Sequence, residues 1–190
     1  MDYTHPKRKT KVVFVQLGSP SEPTTKALRK YLRKFLGDPR VVDINPWLWK
    51  IILNFFVLPF RPRKSAKLYA RIWDGKSFPL ITNTRDFTNN VSEELKKIDP
   101  EGYVEVNHAF LLSPPYVNEV YDSWEEDLKK GVGATKLLVI PMFPQYSEST
   151  IASGIDALAK ELSKRVKIPT FEVITNFHRT HAFIDNSVNQ

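Results

Sequence analysis

Residues 136–150 read KLLVIPMFPQYSEST. KLLVI is a short apolar run, the pattern of a strand buried on both faces. PMFPQYSEST then sets two prolines, a tyrosine, an amide, three aliphatic hydroxyls and a carboxylate where the helical pattern IASGIDALAKELSKR (151–165) begins. A buried strand handing over directly to a helix is the repeating unit of a parallel sheet, because parallel neighbours need a helical crossover.

Working outward, the same unit recurs. KVVFVQL (11–17) reads as a first buried strand, followed by the turn GSPSEP. A helix is expected from about Pro23, with Ala27, Leu28, Tyr31, Leu32, Phe35 and Leu36 on one face and Lys26, Arg29, Lys30, Arg33 and Lys34 on the other. GDPR breaks it. Residues 46–60 hold the apolar run WLWKIILNFFVLPF, shorter than the ~20 residues of a bilayer span and with Lys50 and Asn54 on one face. It reads either as a buried helix or as one whose apolar face lines a ligand mouth or meets a membrane surface. Helical signal continues in KSAKLYARIW and in RDFTNNVSEELKKI, where Phe87, Val91, Leu95 and Ile98 form a stripe. VEVNHAF (104–110) is the second strand, PYVNEVYDSWEEDLKKG a helix, KLLVI the third strand, FEVIT (171–175) the fourth, and HAFIDNSV one more helix. The fold class is therefore α/β: a Rossmann-like lobe with a four-stranded parallel sheet and helices on both faces. Residues 1–10 read as a basic tail and 11–190 as a single lobe.

Composition narrows the chemistry. The 42% hydrophobic content of these 190 residues supports a sizeable core, and the absence of cysteine excludes disulfides, thiolate metal sites and cysteine nucleophiles. The net charge of +7 suits anionic partners. Its basic residues are spread over KRKTK, KALRKYLRK and RPRKSAK without a nucleic-acid motif, so no nucleic-acid partner is expected. VVFV is too short for a signal-peptide core, which makes a cytoplasmic location the expectation.

In open parallel sheets ligands bind beyond the carboxyl ends of the strands, where the strand order reverses. With strand one central, GSPSEP and PMFPQYSEST face one crevice, bringing together Ser19, Tyr146, Ser147, Glu148, Ser149 and Thr150, with helix starts behind them. Alternatively, Ser147, Ser149 and Thr150 only cap the next helix. Neither a dinucleotide fingerprint nor a Walker loop is present, and no intrinsic cofactor is expected. Among the four histidines, His5 lies in the tail and His108 reads as a packed core residue. His178 and His181 supply only two ligands, so no metal site is expected.

QLGSP, FLGDPRVVD, LPFRPRKSAKLYARIW, SFPL, PMFPQYSEST and RTHAFI resemble the ferrochelatase family in order and spacing, over about residues 11–185. The resemblance implies a chelatase-type fold: two similar Rossmann-like lobes clamping a porphyrin, into which ferrous iron is inserted to make haem. It implies that 46–60 is an apolar lip helix at the porphyrin entrance, with peripheral membrane contact, and that Arg61, Arg63 and Lys64 meet propionates or lipid phosphates. Ser19, Gln145, Tyr146, Ser147 and Trp47 complete the expected porphyrin-binding set.

The family's AHSLP histidine and second-lobe glutamate lie downstream of the matched region. Within it, Leu111 and Leu112 stand where the family carries an Arg-Tyr pair, and Ile151 and Ala152 replace a Thr-Gly. The resemblance thus implies a half-protein, a pseudoenzyme that binds porphyrin or haem without inserting iron on its own. Glu148 adds a carboxylate where the family has a small residue, and so keeps two alternatives open. One is a chelatase, homodimeric or completed by a second lobe on another chain, with Glu148 catalytic; the other is a non-catalytic interaction module with an exposed cleft.

Overall fold

The computed structural model describes residues 9–131 and 133–188. Residues 1–8 of the expected tail, His5 included, lie outside them. Four parallel strands, β1 (Thr10–Gln16), β2 (Val104–Phe110), β3 (Lys136–Pro141) and β4 (Thr170–Val173), run in the order β2-β1-β3-β4. β1 is central, and the order reverses between β1 and β3. Register pairs Val13 with Asn107 and Val139, and Val15 with Ala109 and Pro141.

Strand alternation divides the core into two layers. Val13, Val15, Leu137 and Val139 pack with Tyr121 and Trp124 of α5 (Val117–Lys129) and with Leu158 and Leu162 of α6 (Ser153–Leu162). Phe14 points the other way, its ring 5.1 Å from Phe87 of α4 (Pro79–Ile98). Lys11 is buried at the N-terminal end of β1, its ammonium between Glu105 at 3.3 Å and Asp127 at 3.4 Å. Helices therefore cover both faces.

α1 (Thr25–Leu36) begins two residues after the expected Pro23, because Thr24 is the N-cap and accepts from the Ala27 N–H at 3.2 Å. α4 starts earlier than the pattern suggested, at Pro79, whose missing N–H suits a first helical position. Its buried face centres on Thr84 and Thr88 rather than on the expected stripe, of which Ile98 is exposed. Each threonine hydroxyl donates to the carbonyl four residues back at 2.7 Å, which removes the cost of burying it. The 46–60 run divides into α2 (Pro46–Ile52), a π-helical turn (Leu53–Val57) and a last turn before α3 (Arg61–Tyr69). After β4, α7 covers His181–Val188.

Candidate functional site

Both expected loops leave the carboxyl ends of β1 and β3, on either side of the reversal point. Gly18, just after β1, has φ of +91°, and a Cβ there would stand 2.3 Å from Ser113 Oγ. Only glycine fits so tight an exit. Ser19 is consequently buried, with its N–H donating to Ser113 Oγ at 3.3 Å. The Tyr31 hydroxyl donates to Gly18 O at 3.4 Å, and burial, with Tyr69 beside it, pushes this phenol well above its ordinary value.

The loop after β3 is held at both ends. Met142 N–H donates to Val15 O at 2.8 Å, and Phe177 and His178 N–H groups both donate to Pro144 O. Gln145 and Tyr146 are exposed, and line a groove of about 410 Å³ with Phe143, Pro144, Ser147, Thr150 and Phe183. Residues 148–152 form a π-helical turn before α6. The expected capping takes another form: the Ser147 carbonyl accepts from Ile151 N–H at 3.0 Å, while its hydroxyl meets Ser149 Oγ at 3.1 Å. Glu148, at the first position of that turn, is exposed.

The structure distributes the expected site over several surfaces. Ser19 faces a cleft on the β2 side, whereas Gln145, Tyr146 and Ser147 line the groove on the β3 side, and the two share no lining residue. Between them lies a crevice of about 170 Å³ with Leu17, Leu111 and Leu112 along it and Ser149, Ser153 and Asp156 opposite. The two leucines that replace the Arg-Tyr pair extend the sheet, donating to Gln16 O and Leu17 O at 3.0 Å each. Their side chains diverge, Leu111 to the α5/α6 core and Leu112 to the cluster under the lip.

That cluster explains the lip. Leu53 and Leu58 are buried against Tyr31, Leu32 and Leu36 of α1, with Trp49 and Val57 beside them. Trp49 Nε1 donates to Leu36 O at 2.6 Å, and Arg29 Nε to Leu58 O at 3.2 Å. With one face so anchored, the opposite face stands in solvent: Trp47 is 78% exposed, Phe55 70% and Phe60 71%, with Leu48 and Ile51 between. Arg61, Arg63 and Lys64 follow in the first turn of α3, all exposed, and line neither the Ser19 cleft nor the Tyr146 groove.

One residue of the FLGDPRVVD segment had no role in the sequence reading. Arg40 Nε and Nη2 donate to the two carboxylate oxygens of Asp156 at 2.5 and 3.0 Å, joining the loop before the lip to α6 across the crevice. The hydrogen bond to Asp156 raises the Arg40 guanidinium above its ordinary value, with a smaller contribution from Tyr146. The partners are 116 residues apart. No local spacing reports such a pair; the only sequence signal was Asp156 among the alanines of an amphipathic helix. Among the described residues no group of three His, Asp or Glu side chains is placed to hold a metal ion. No helix of the described residues is long and apolar enough to cross a membrane.

The family profile described as ferrochelatase matches residues 9–190. A ferrochelatase of Idiomarina loihiensis is 42% identical over 174 residues, covering 92% of this chain and 46% of that protein. A ferrochelatase of Marinobacter nauticus is 38% identical over 92% of the chain and 45% of its own length. The coproporphyrin III ferrochelatase of Streptococcus mutans is 38% identical over 93% and 53% respectively. The chain thus spans about half the length of the curated relatives it matches. Matched over nearly all its residues by the profile and by relatives at these identities, the chain belongs to the ferrochelatase family.

Proposed function

We propose that this chain is a porphyrin- or haem-binding lobe linked to haem biosynthesis, which does not insert iron on its own. The observation that carries the reading is the lip: a helix anchored by Trp49, Leu53 and Leu58 that holds Trp47, Leu48, Ile51, Phe55 and Phe60 out of the core. Exposed apolar surface of this extent, on a helix anchored by its other face, fits a ligand that is flat and apolar. Burying ~300 Å² of apolar surface at ~25 cal/mol per Å² yields about 7.5 kcal/mol, close to the ~8 kcal/mol of micromolar binding. Arg61, Arg63 and Lys64 meet the ligand's carboxylates or, with the lip, an anionic membrane surface. Tyr146, Gln145 and Ser147 supply polar contacts from the groove on the β3 side and Ser19 from the β2 side, and no intrinsic cofactor takes part.

Insertion of a metal requires a group that accepts the pyrrole protons. Leu111 and Leu112 cannot, and the Asp38 and Asp156 carboxylates on the same crevice are engaged by Arg40, which supports binding without chemistry in the isolated chain. A second reading, a chelatase completed by another copy or another lobe, is favoured by one feature. The Glu148 carboxylate is exposed at the mouth of α6, free to face an opposing chain.

An absorbance titration with protoporphyrin, following the Soret band, tests the proposal. A saturable low-micromolar shift is expected, weakened at least ~tenfold by Trp47→Ala with Phe55→Ala, and several-fold by Tyr146→Ala. A shift of the same size in all variants, or none in the unaltered chain, would sink it. Zinc insertion that depends on assembly and is lost in Glu148→Gln would favour the second reading.

A further inference from the structure

The cleft beside Ser19 carries charge of one sign. It measures about 290 Å³ and lies between the exit of β1, one face of α1, the start of α4 and the loop after β2. Lys30, Lys34 and Lys76 line it, and no acidic side chain does. Lys30 and Lys34 are one helical turn apart, so they share a stripe of α1. Lys34 is oriented: its ammonium donates to Tyr116 Oη at 3.1 Å and stands 4.5 Å from the centre of that ring.

Two further donors aim at the same space. Ser19 and Ser113 are only 7% and 8% exposed, yet both line the cleft. Ser113 Oγ accepts from the Ser19 N–H, which leaves its own proton undonated among the described residues. The Ser19 hydroxyl has no partner among them either. The Ser19 hydroxyl is not sealed from solvent and Ser113 Oγ already accepts one hydrogen bond, so each keeps a proton to offer an acceptor in the cleft. The 20-residue α4 also opens here, through Phe78 and Ile81, with no side-chain cap and no acid in its first turn. The nearest carboxylate, Asp74, lies ahead of the helix and is engaged by the Lys76 and Ser77 N–H groups at 2.7 and 2.6 Å.

We infer that this cleft is a site for a compact oxyanion of phosphate chemistry, separate from the Tyr146 groove. Three ammonium groups, two hydroxyls and a helix start surround one volume, the donor set that suits a tetrahedral, multiply charged acceptor. No arginine lines it, so the planar fork that recognises a carboxylate in bidentate fashion is missing. The site does not rest on the porphyrin reading.

Isothermal titration of the intact chain with pyrophosphate, and separately with inorganic phosphate, at low salt reads the site directly. One saturable event is expected, stronger for pyrophosphate if the natural ligand is a diphosphate and equal for both if a single phosphate group suffices. Lys30→Gln with Lys76→Gln should weaken it at least ~tenfold. Ser19→Ala, which breaks no internal hydrogen bond, should weaken it several-fold with the thermal midpoint unchanged. Lys129→Gln with Lys167→Gln, in the basic cleft at the other end of the molecule, should leave it intact. Three results would overturn the site: no saturable heat, equal binding by the Lys30/Lys76 and Ser19 variants, or an equal loss in the Lys129/Lys167 control. The Soret band reads porphyrin uptake independently, so either proposal fails without the other.

Discussion

His108 lies on β2 with its ring 5.5 Å from Phe110 in an edge contact. Burial, aided by the positive charge of Arg85, holds its imidazole below the ordinary value of 6.5. Between that value and the depressed one, the unfolded chain binds a proton that the folded chain refuses. Stability is therefore unaffected above about pH 6.5, falls as the pH drops below it, and levels off beneath the folded value. His108→Gln should flatten that part of a denaturant-midpoint profile; an unchanged slope would show that another group sets it. Arg40 and Asp156 make a second, different case. The Arg40 hydrogen bond holds the Asp156 carboxyl below its ordinary value of 3.8, so this contribution is complete above that pH and disappears as pH falls through the depressed value. Arg40→Lys should not rescue Arg40→Ala, since a lysine cannot make the two-pronged contact, and hydrogen exchange in residues 38–45 should accelerate equally in both. The strand position of His108 was legible in VEVNHAF, but the residue is half-buried rather than in the core that the pattern suggested. The Arg40 pair was not legible, because only the tertiary fold brings its halves together.

At the scale of the element, the lip separates two tryptophans with one sequence neighbour between them. Trp49 donates its indole N–H to Leu36 O and packs on the α1 cluster, whereas Trp47 stands in solvent. Trp49→Ala should cost about 3 kcal/mol of unfolding free energy. Trp47→Ala should cost less than ~0.5 kcal/mol while reducing porphyrin uptake. Urea denaturation of both variants checks this, and equal losses would mean that the lip packs differently. The apolar run announced an element with two kinds of face but not which residues formed each. Its composition is apolar almost throughout, so periodicity had little polar contrast to work with, and the π-helical turn at Leu53–Val57 shifts the phase partway along. At α4 the pattern misled for the opposite reason: threonines whose hydroxyls bond back to the helix behaved as apolar residues and took the buried face.

At the scale of the whole molecule, alternating strands and helices sufficed for the parallel sheet with β1 in the middle. Non-adjacent loops could be assigned to one end of that sheet because the topology leaves few choices. The same reasoning put Ser19 and Tyr146 in a single site; in the folded chain they line different clefts, with the Ser19 N–H held by Ser113. The crevice between them sets Leu17, Leu111 and Leu112 beside Asp38, Ser149, Ser153, Asp156 and Lys160, with Asp156 bound to Arg40. On the proposed reading, such a lobe holds a macrocycle against its lip without inserting a metal on its own. The most direct measurement is the visible spectrum of protoporphyrin mixed with the intact chain and excess Zn²⁺ under reducing, buffered conditions. The account predicts a shifted Soret band whose free-base Q-band pattern persists beyond that of a chain-free control. Conversion to the metalloporphyrin pattern faster than the control, or no Soret shift at all, would contradict it.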